Sequence, residues 1–528
     1  MTSRKKLWVV LAVQAVSFVS WGAAQGPAPA PAGQESSIRN PAAGLFDVRA
    51  FGARGDGIAL DTPAINKAIE AAAAAGGGTV WFSAGQYLCY SIHLKSGVSL
   101  YLNQGATIVA ADTPAVGKGG GYDPAEPNPW DKYQDFGHSH WHNSLIWGEE
   151  VHDVSILGTG RIHGKGLVRS NDVPAGGGNK SISLKNSRNI TIRDISILHG
   201  GHFAILASGV DNMTVDGLKI DTNRDGINID CCRHAHISNC SINSPFDDAI
   251  VPKSSYALGF PRATENVTIT NCIVSGYDEG SLLDGTYKRT VTYKLGPTGR
   301  IKFGTESNGG FKNITIANCV FDYCRGLALE TVDGGLLEDV AIANITMRDI
   351  VNAPIFLRLG SRMRGPEGGQ VGRLRRVHIS NVVVYNADPA GGVIISGIPG
   401  HDIEDITLRD IRIFYKGGGT REQAALEPAE KEKDYPEPNM FGELPAYGFF
   451  IRHVRGIDLS GIQISYMKED LRPAFLLEAI KGVALYHIRA QHATDAPTFT
   501  LKQVEDFNLH QCQGLADARL ERVDLKKF

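Results

Sequence analysis

The sequence predicts an all-β right-handed parallel β-helix, closed at its start by a short N-terminal capping helix. Three observations predict it. A strand–corner–strand unit repeats with a step of about 22 residues, a typical solenoid period. An asparagine recurs at the same place in many of the units. Glycine reaches 61 of 528 residues, well above the usual ~7%, as many turns and little helix require.

The unit is clearest at Asn189 to Ile197, Asn212 to Ile220 and His234 to Ile242, and it returns at stretches starting at Asn266, Asn313, Asp339, Arg376, Asp405, Gly456 and Gly482. In each, apolar residues alternate, a polar pair interrupts, and alternation resumes, which reads as two short strands joined by a tight corner. Asn239, Asn271, Asn318, Asn344 and Asn381 occupy that corner. Asparagine tolerates the left-handed backbone a sharp bend needs, and stacked amides hydrogen-bond from rung to rung. One coil cannot bury its inner face alone, so neighbouring coils must stack around a shared core. Cys240, Cys272 and Cys319 follow corner asparagines, and Cys512 follows Gln511. That placement predicts stacked buried thiols rather than disulfides.

The ends and insertions complete the organisation. Arg4, Lys5 and Lys6, the apolar run Leu7 to Val19 and the small residues Gly22 to Ala24 read as a signal peptide over 1–24, and hence as export to the periplasm or medium. Residues 25–44 read as a flexible leader, and 45–528 as one β-helix domain. Thr62 as N-cap with Pro63 at the first helical position predicts the capping helix, ending near Ala75. Three stretches depart from the repeat and are expected as loop insertions: 113–142, 277–297 and 416–447. Long insertions in a solenoid tend to gather on one face, and the aromatics and histidines between Tyr122 and Trp141 suit sugar rings.

Composition narrows the partners. With Lys+Arg 53 against Asp+Glu 56, the net charge of -3 leaves no basic footprint for nucleic acid or an anionic membrane. No cysteine–histidine spacing of the kind metals need is present, and no cofactor is expected. The chemistry lies in carboxylates. Asp225, in the run Asn223 to Asp230, precedes Asp247 and Asp248 by about one 22-residue step. That step predicts Asp225 stacked on Asp247, roughly 5 Å away. Clustered carboxylates are electrostatically costly. They make sense if one keeps a proton as general acid while others activate a water, the two-carboxylate logic of glycoside hydrolysis. A calcium site is the competing reading of the same residues.

Two sets of motifs carry a family resemblance. The stretch from Phe46 to Phe82, with Gly52, Gly55, Gly57, Asp61 and Thr62, resembles the N-terminal entry of the pectate-lyase-like β-helices. Asn223 with Asp225 and Gly226, then Asp247-Asp248, preceded by Asn143 to Gly148 and Gly158 to Gly164, resemble glycoside hydrolase family 28, the polygalacturonases. The resemblance implies a polysaccharide or oligosaccharide substrate, inversion at the anomeric carbon, Asp247 as acid, and Asp225 and Asp248 activating water. It makes Asn223 and Lys253 neighbouring substrate or orienting contacts. Two features depart from the family. Thr298 stands where a histidine is usual, and Ala328 and Glu330 replace an arginine and a lysine that grip galacturonate. Arg300 and Lys302 lie one rung away. Strand alternation points them outward beside Glu330, either to grip a carboxylate or to balance Glu330. His202 is expected at the cleft edge, and Arg358, Arg362 and Arg364 are secondary candidates for an acidic sugar. A walled cleft predicts exo-action on pectic oligosaccharides. A polysaccharide lyase and a non-catalytic carbohydrate-binding β-helix are the competing functions.

Overall fold

The computed structural model describes residues 44–528 except 136. The expected signal peptide, and the leader apart from Gly44, fall outside the described residues. The rest is a stack of parallel rungs. The first units pair Ile190 with Met213 and Met213 with Ala235, so one turn advances 22 or 23 residues. The alternating apolar residues of every rung, from Phe46 to Cys512, form one continuous core.

The corner asparagines adopt positive φ, 56° at Asn239, 55° at Asn271 and 56° at Asn318. Each donates its amide to the rung below: Asn271 to Asn239 at 3.3 Å, Asn318 to Asn271 at 3.2 Å, Asn344 to Asn318 at 2.9 Å and Asn381 to Asn344 at 2.7 Å. Inside the same corner Cys240, Cys272 and Cys319 are buried free thiols. Cys232 faces the core, whereas Cys231 lies on the other side of its strand against Asp230 and the Ser255 carbonyl.

The capping helix α1 (Thr62–Ala74) buries Ile65, Ala68, Ile69 and Ala72 along one stripe over the first rungs. Its N-cap is Asp61, not Thr62. The Asp61 carboxylate is taken up by the backbone amides of Arg54 and Gly55, while the Thr62 hydroxyl accepts from Tyr90 N at 2.8 Å. Thr62 is thereby freed from capping and becomes the first helical residue. At the other end, the strand Ala518–Lys527 folds back antiparallel on Phe499–His510 and covers the last parallel edge, where an open edge would invite pairing with another chain.

One column of strands carries the chemistry: β1 (Ser144–Glu149), β2 (Lys180–Lys185), β3 (Phe203–Ser208), β4 (Asp225–Asp230), β5 (Ile250–Lys253), β6 (Lys302–Phe303), β7 (Leu327–Thr331), β8 (Ile355–Leu359) and β9 (Val393–Ser396). Alternate residues such as Ile227, Ile250, Ile301 and Leu329 enter the core, which turns the intervening side chains outward. The first and third insertions pack against this outer face. Trp141 of the first forms a small cluster with Phe203, Leu206 and Ala257. Phe441, Leu444 and Ala446 of the third form another with Ala328, Phe356, Ile394 and Phe450. The aromatics of 113–142 therefore mostly pack. Trp141 is fully buried and donates to Ser208 Oγ at 3.0 Å, and Trp130 and Tyr133 lean on Tyr256.

Candidate active site

Asp225 opens β4, and Asp247 and Asp248 sit in the corner that leads into β5. One oxygen from each lies within 4.8 Å of the other two. The stacking differs in register from the 22-residue expectation. Ile227 pairs with Ile250 and Asn228 with Val251, a step of 23. Asp248 is thus the true neighbour of Asp225, and its backbone N–H donates to Asp225 Oδ1 at 3.3 Å. The corner holds one residue more than the previous turn, and this displaces Asp247 sideways toward solvent. Its side chain keeps 28% exposure against 7% for the other two.

Each aspartate faces a cation. Arg224 Nη2 is 2.8 Å from Asp247, Lys253 Nζ is 3.9 Å from Asp225, and Arg300 Nε is 2.8 Å from Asp248. Lys253 and Arg300 are shared with Glu306 and Glu437, so the trio is only partly neutralised. Burial, then the charge of Asp247, push the Asp225 carboxyl well above the usual range, and Lys253 only partly offsets them. Asp225 therefore holds a proton more readily than a free carboxyl does.

Two charge networks spread from the trio. On one side Lys253 reaches Glu306 at 3.1 Å, and Glu306 takes Arg364 at 2.5 Å. On the other, Arg300 bridges Asp248 to Glu437, with Lys302 Nζ 3.5 Å and Arg325 Nη1 3.1 Å from the same Glu437 carboxylate. Lys302 also lies 3.6 Å from Glu330. Burial raises the Glu330 carboxyl to about 8 in spite of Lys302 and Arg300. For Glu437 burial acts in the same direction, but Arg300, Lys302 and Arg325 overcome it and hold that carboxyl at about 2.

Above the trio lies a cleft of about 580 Å³. Phe246, Asp247 and Asp248 line it from the corner, Val291 to Gly296 from the second insertion, Thr298, Lys302 and Arg325 from the rungs, and Tyr435 and Glu437 from the third insertion. The second insertion is held there because Asp221 accepts the amides of Gly280, Leu282 and Leu283. Phe246 is 55% exposed beside Asp247, a ring face open to a sugar.

The other expected residues are placed as follows. Lys253 and Glu330 are buried beneath the cleft rather than on its wall. Asn223 is half-buried in the turn before Asp225, its carbonyl accepting from Phe246 N at 3.0 Å. His202 lies one rung earlier, buried against Phe203 and within 3.1 Å of the Arg169 carbonyl. Burial, with Arg224 and His138 adding to it, lowers its imidazole to about 2, so it stays neutral. Arg358 is not open to an acidic sugar: its guanidinium binds the carbonyls of Glu430 and Lys431. Arg362 pairs with Asp333, and Arg364 with Asp135 and Glu306. Sequence reasoning missed Phe246, Arg224 and Glu437. The first two sit inside the aspartate motifs and were open to notice. Glu437 lies in an insertion with no repeat register to locate it.

Comparison with known proteins agrees with this architecture. Residues 45–129 match the family model for rhamnogalacturonase A/epimerase, pectate lyase-like, and residues 143–292 match that for the right-handed β-helix region. A probable polygalacturonase of Vitis vinifera is 26% identical over 339 residues, 59% of this chain and 62% of the grape protein. The aligned stretch thus spans about three fifths of that relative's length. Among solved structures, the family 28 exopolygalacturonase of Yersinia enterocolitica superposes with a TM-score of 0.60 at 16% identity, covering 83% of this chain and 78% of that one. The Streptococcus pneumoniae surface adhesin PfbA gives 0.51 at 19% identity, covering 92% and 99%. At such identities these structures speak for the fold alone. The chain is a right-handed parallel β-helix with a pectate-lyase-like N-terminal region, and it resembles the polygalacturonases of glycoside hydrolase family 28.

Proposed function

We propose that this chain is an exported glycoside hydrolase that cleaves pectic oligosaccharides from an end, with inversion, through Asp225, Asp247 and Asp248. One observation carries the reading: three carboxylates from two consecutive rungs meet within 4.8 Å, and two of them, Asp247 and Asp248, line a sugar-sized cleft. The grape polygalacturonase likeness supports the substrate class. The second and third insertions, which both line the cleft, support action on chain ends. Export rests on the signal-like N-terminus.

In this mechanism Asp225 passes a proton to Asp247, the member of the trio most open to solvent. Asp247 gives it to the departing glycosidic oxygen. Asp225 and Asp248, then ionised, take a proton from the water that attacks the anomeric carbon. Lys253 and Arg300 offset the charge left on them. A simple inverting pair stands about 6.5–9.5 Å apart with the water between. Here the oxygens of the three carboxyls lie within 4.8 Å of one another, so the product anomer is the decisive measurement.

The test is a panel of defined pectic oligosaccharides, with product masses and nuclear magnetic resonance of the first-formed anomer, for the wild type and Asp247→Asn. Saturated, inverted products that disappear in the variant are expected. Retained anomers overturn inversion. Ultraviolet-absorbing unsaturated ends make the protein a lyase, and binding without products makes it a carbohydrate-binding β-helix.

A further inference from the structure

Lys302 and Arg325 line the cleft, and the buried Arg300 meets them at Glu437. Such a grouping of two guanidiniums and an ammonium suits an incoming carboxylate. It already holds one. Glu437 contacts Arg300 directly, and Arg325 and Lys302 lie at 3.1 and 3.5 Å. All three cations already face Glu437, and Arg300 is shared with Asp248 as well, so a uronate would compete with the protein's own carboxylates for each of them. Among the described residues lining the cleft, Lys294 is the remaining cation, and it stands exposed on the rim.

The segment that carries Glu437 is built into the surface on both sides of it. Before it, Arg452 donates to the carbonyls of Pro428 and Ala429 at 2.8 Å each, and Arg358 to those of Glu430 and Lys431 at 2.9 and 3.0 Å. After it, Pro438 and Phe441 are buried, Phe441 lies beneath the Arg358 and Arg452 guanidiniums, and Arg472 donates to the Leu444 carbonyl at 3.2 Å. A strap anchored this way holds its carboxylate in place rather than yielding it to a ligand.

We infer that the sugar position beside Asp248 takes an uncharged residue, and that Glu437 is the specificity-determining side chain that excludes a uronate there. A substrate carboxylate in that position meets the Glu437 charge and finds its counter-ions taken. A neutral sugar meets the rings and hydroxyl of Phe246, Tyr293, Tyr435 and Thr298. The inference rests on the carbohydrate-hydrolase reading and adds which sugar chemistry the site admits.

The experiment uses pectic trisaccharides in which one residue next to the scissile bond is a uronate, its methyl ester or its C6 alcohol. The full-length wild type should cleave an uncharged form with kcat/KM at least tenfold above that of the uronate. Glu437→Gln should bring the uronate to within threefold of it. A wild type that favours the uronate overturns the inference without touching the hydrolase reading, and needs no variant to show it. A Glu437→Gln protein of unchanged melting temperature and unchanged ratio overturns it too. Calorimetric titration of Asp247→Asn with the same sugars separates the two claims. Tighter binding of the uncharged forms, with no hydrolysis of any by the wild type, supports the inference and ends the hydrolase reading.

Discussion

Two columns of stacked side chains run along this solenoid under opposite rules. At the corner, asparagine sits over asparagine from Asn239 to Asn381, each donating an amide to the next. A neutral amide both donates and accepts, so repetition of one residue satisfies itself. On the outer face of the strand column like does not follow like. Asp230 lies beside Lys253, Glu330 beside Arg358, and Ser396 separates Arg358 from Arg452. Neighbouring rungs are only about 4.8 Å apart, so identical charges in register would repel strongly. The rule is broken where Asp225 meets Asp248 with Asp247 alongside. A parallel β-helix thus marks its reactive spot as the place where stacked charges fail to alternate.

The largest expected effect comes from removing that exception. Asp247→Asn or Asp225→Asn should lower kcat by about 10²–10⁴-fold, the usual worth of acid–base catalysis, while circular dichroism and melting stay close to wild type. Loss of fold together with activity would instead make the trio a structural feature.

Breaking the alternation elsewhere should cost stability. Lys253→Met leaves Glu306 and Asp225 without their shared cation, and buried ion pairs broken on one side cost about 3–5 kcal/mol. Urea unfolding reads this directly. A change under about 1 kcal/mol would show that water replaces the lysine.

Glu330 sharpens the comparison through pH. Its folded carboxyl titrates at about 8, against about 4.3 in an unfolded chain. A group raised in the folded state gives its full stabilisation below the unfolded value and loses it as pH climbs through the folded one. The urea midpoint should therefore fall between about pH 5 and about pH 8.5, and Glu330→Gln should flatten that fall. Parallel slopes for the two proteins would exclude Glu330 as its source.

The smallest effect belongs to the neutral column. Asn318→Ala gives up two exposed amide bonds, one to Asn271 and one from Asn344, and forces alanine into φ 56°, for a cost of about 2 kcal/mol. Asn318→Gly should restore the backbone part of that loss in the same unfolding assay.

The sequence made this division visible only in part. Corner asparagines and alternating apolar residues announce a β-helix because every rung repeats the same packing problem. Alternation also turns Arg300 and Lys302 outward, since Ile301 and Phe303 must enter the core. The aspartate motifs stand out by their charge. The pairing of Asp225 with Asp248 did not, because a corner one residue longer shifts the register without changing the pattern. Nor did Glu437, since an insertion lands where tertiary contacts send it. Arg358 read as a charge free for a ligand because the Glu430 and Lys431 carbonyls that occupy it arrive from 72 and 73 positions away.

The arginine grip on the third insertion has one more consequence. Carbonyl oxygens are common to every amino acid, so Arg358 and Arg452 secure that stretch whatever side chains it displays. Its composition is free to drift while its path stays put, and a single replacement at position 437 reaches the substrate without unseating its support. The β-helix thereby offers an exchangeable cassette, on which new sugar preferences can be written one letter at a time.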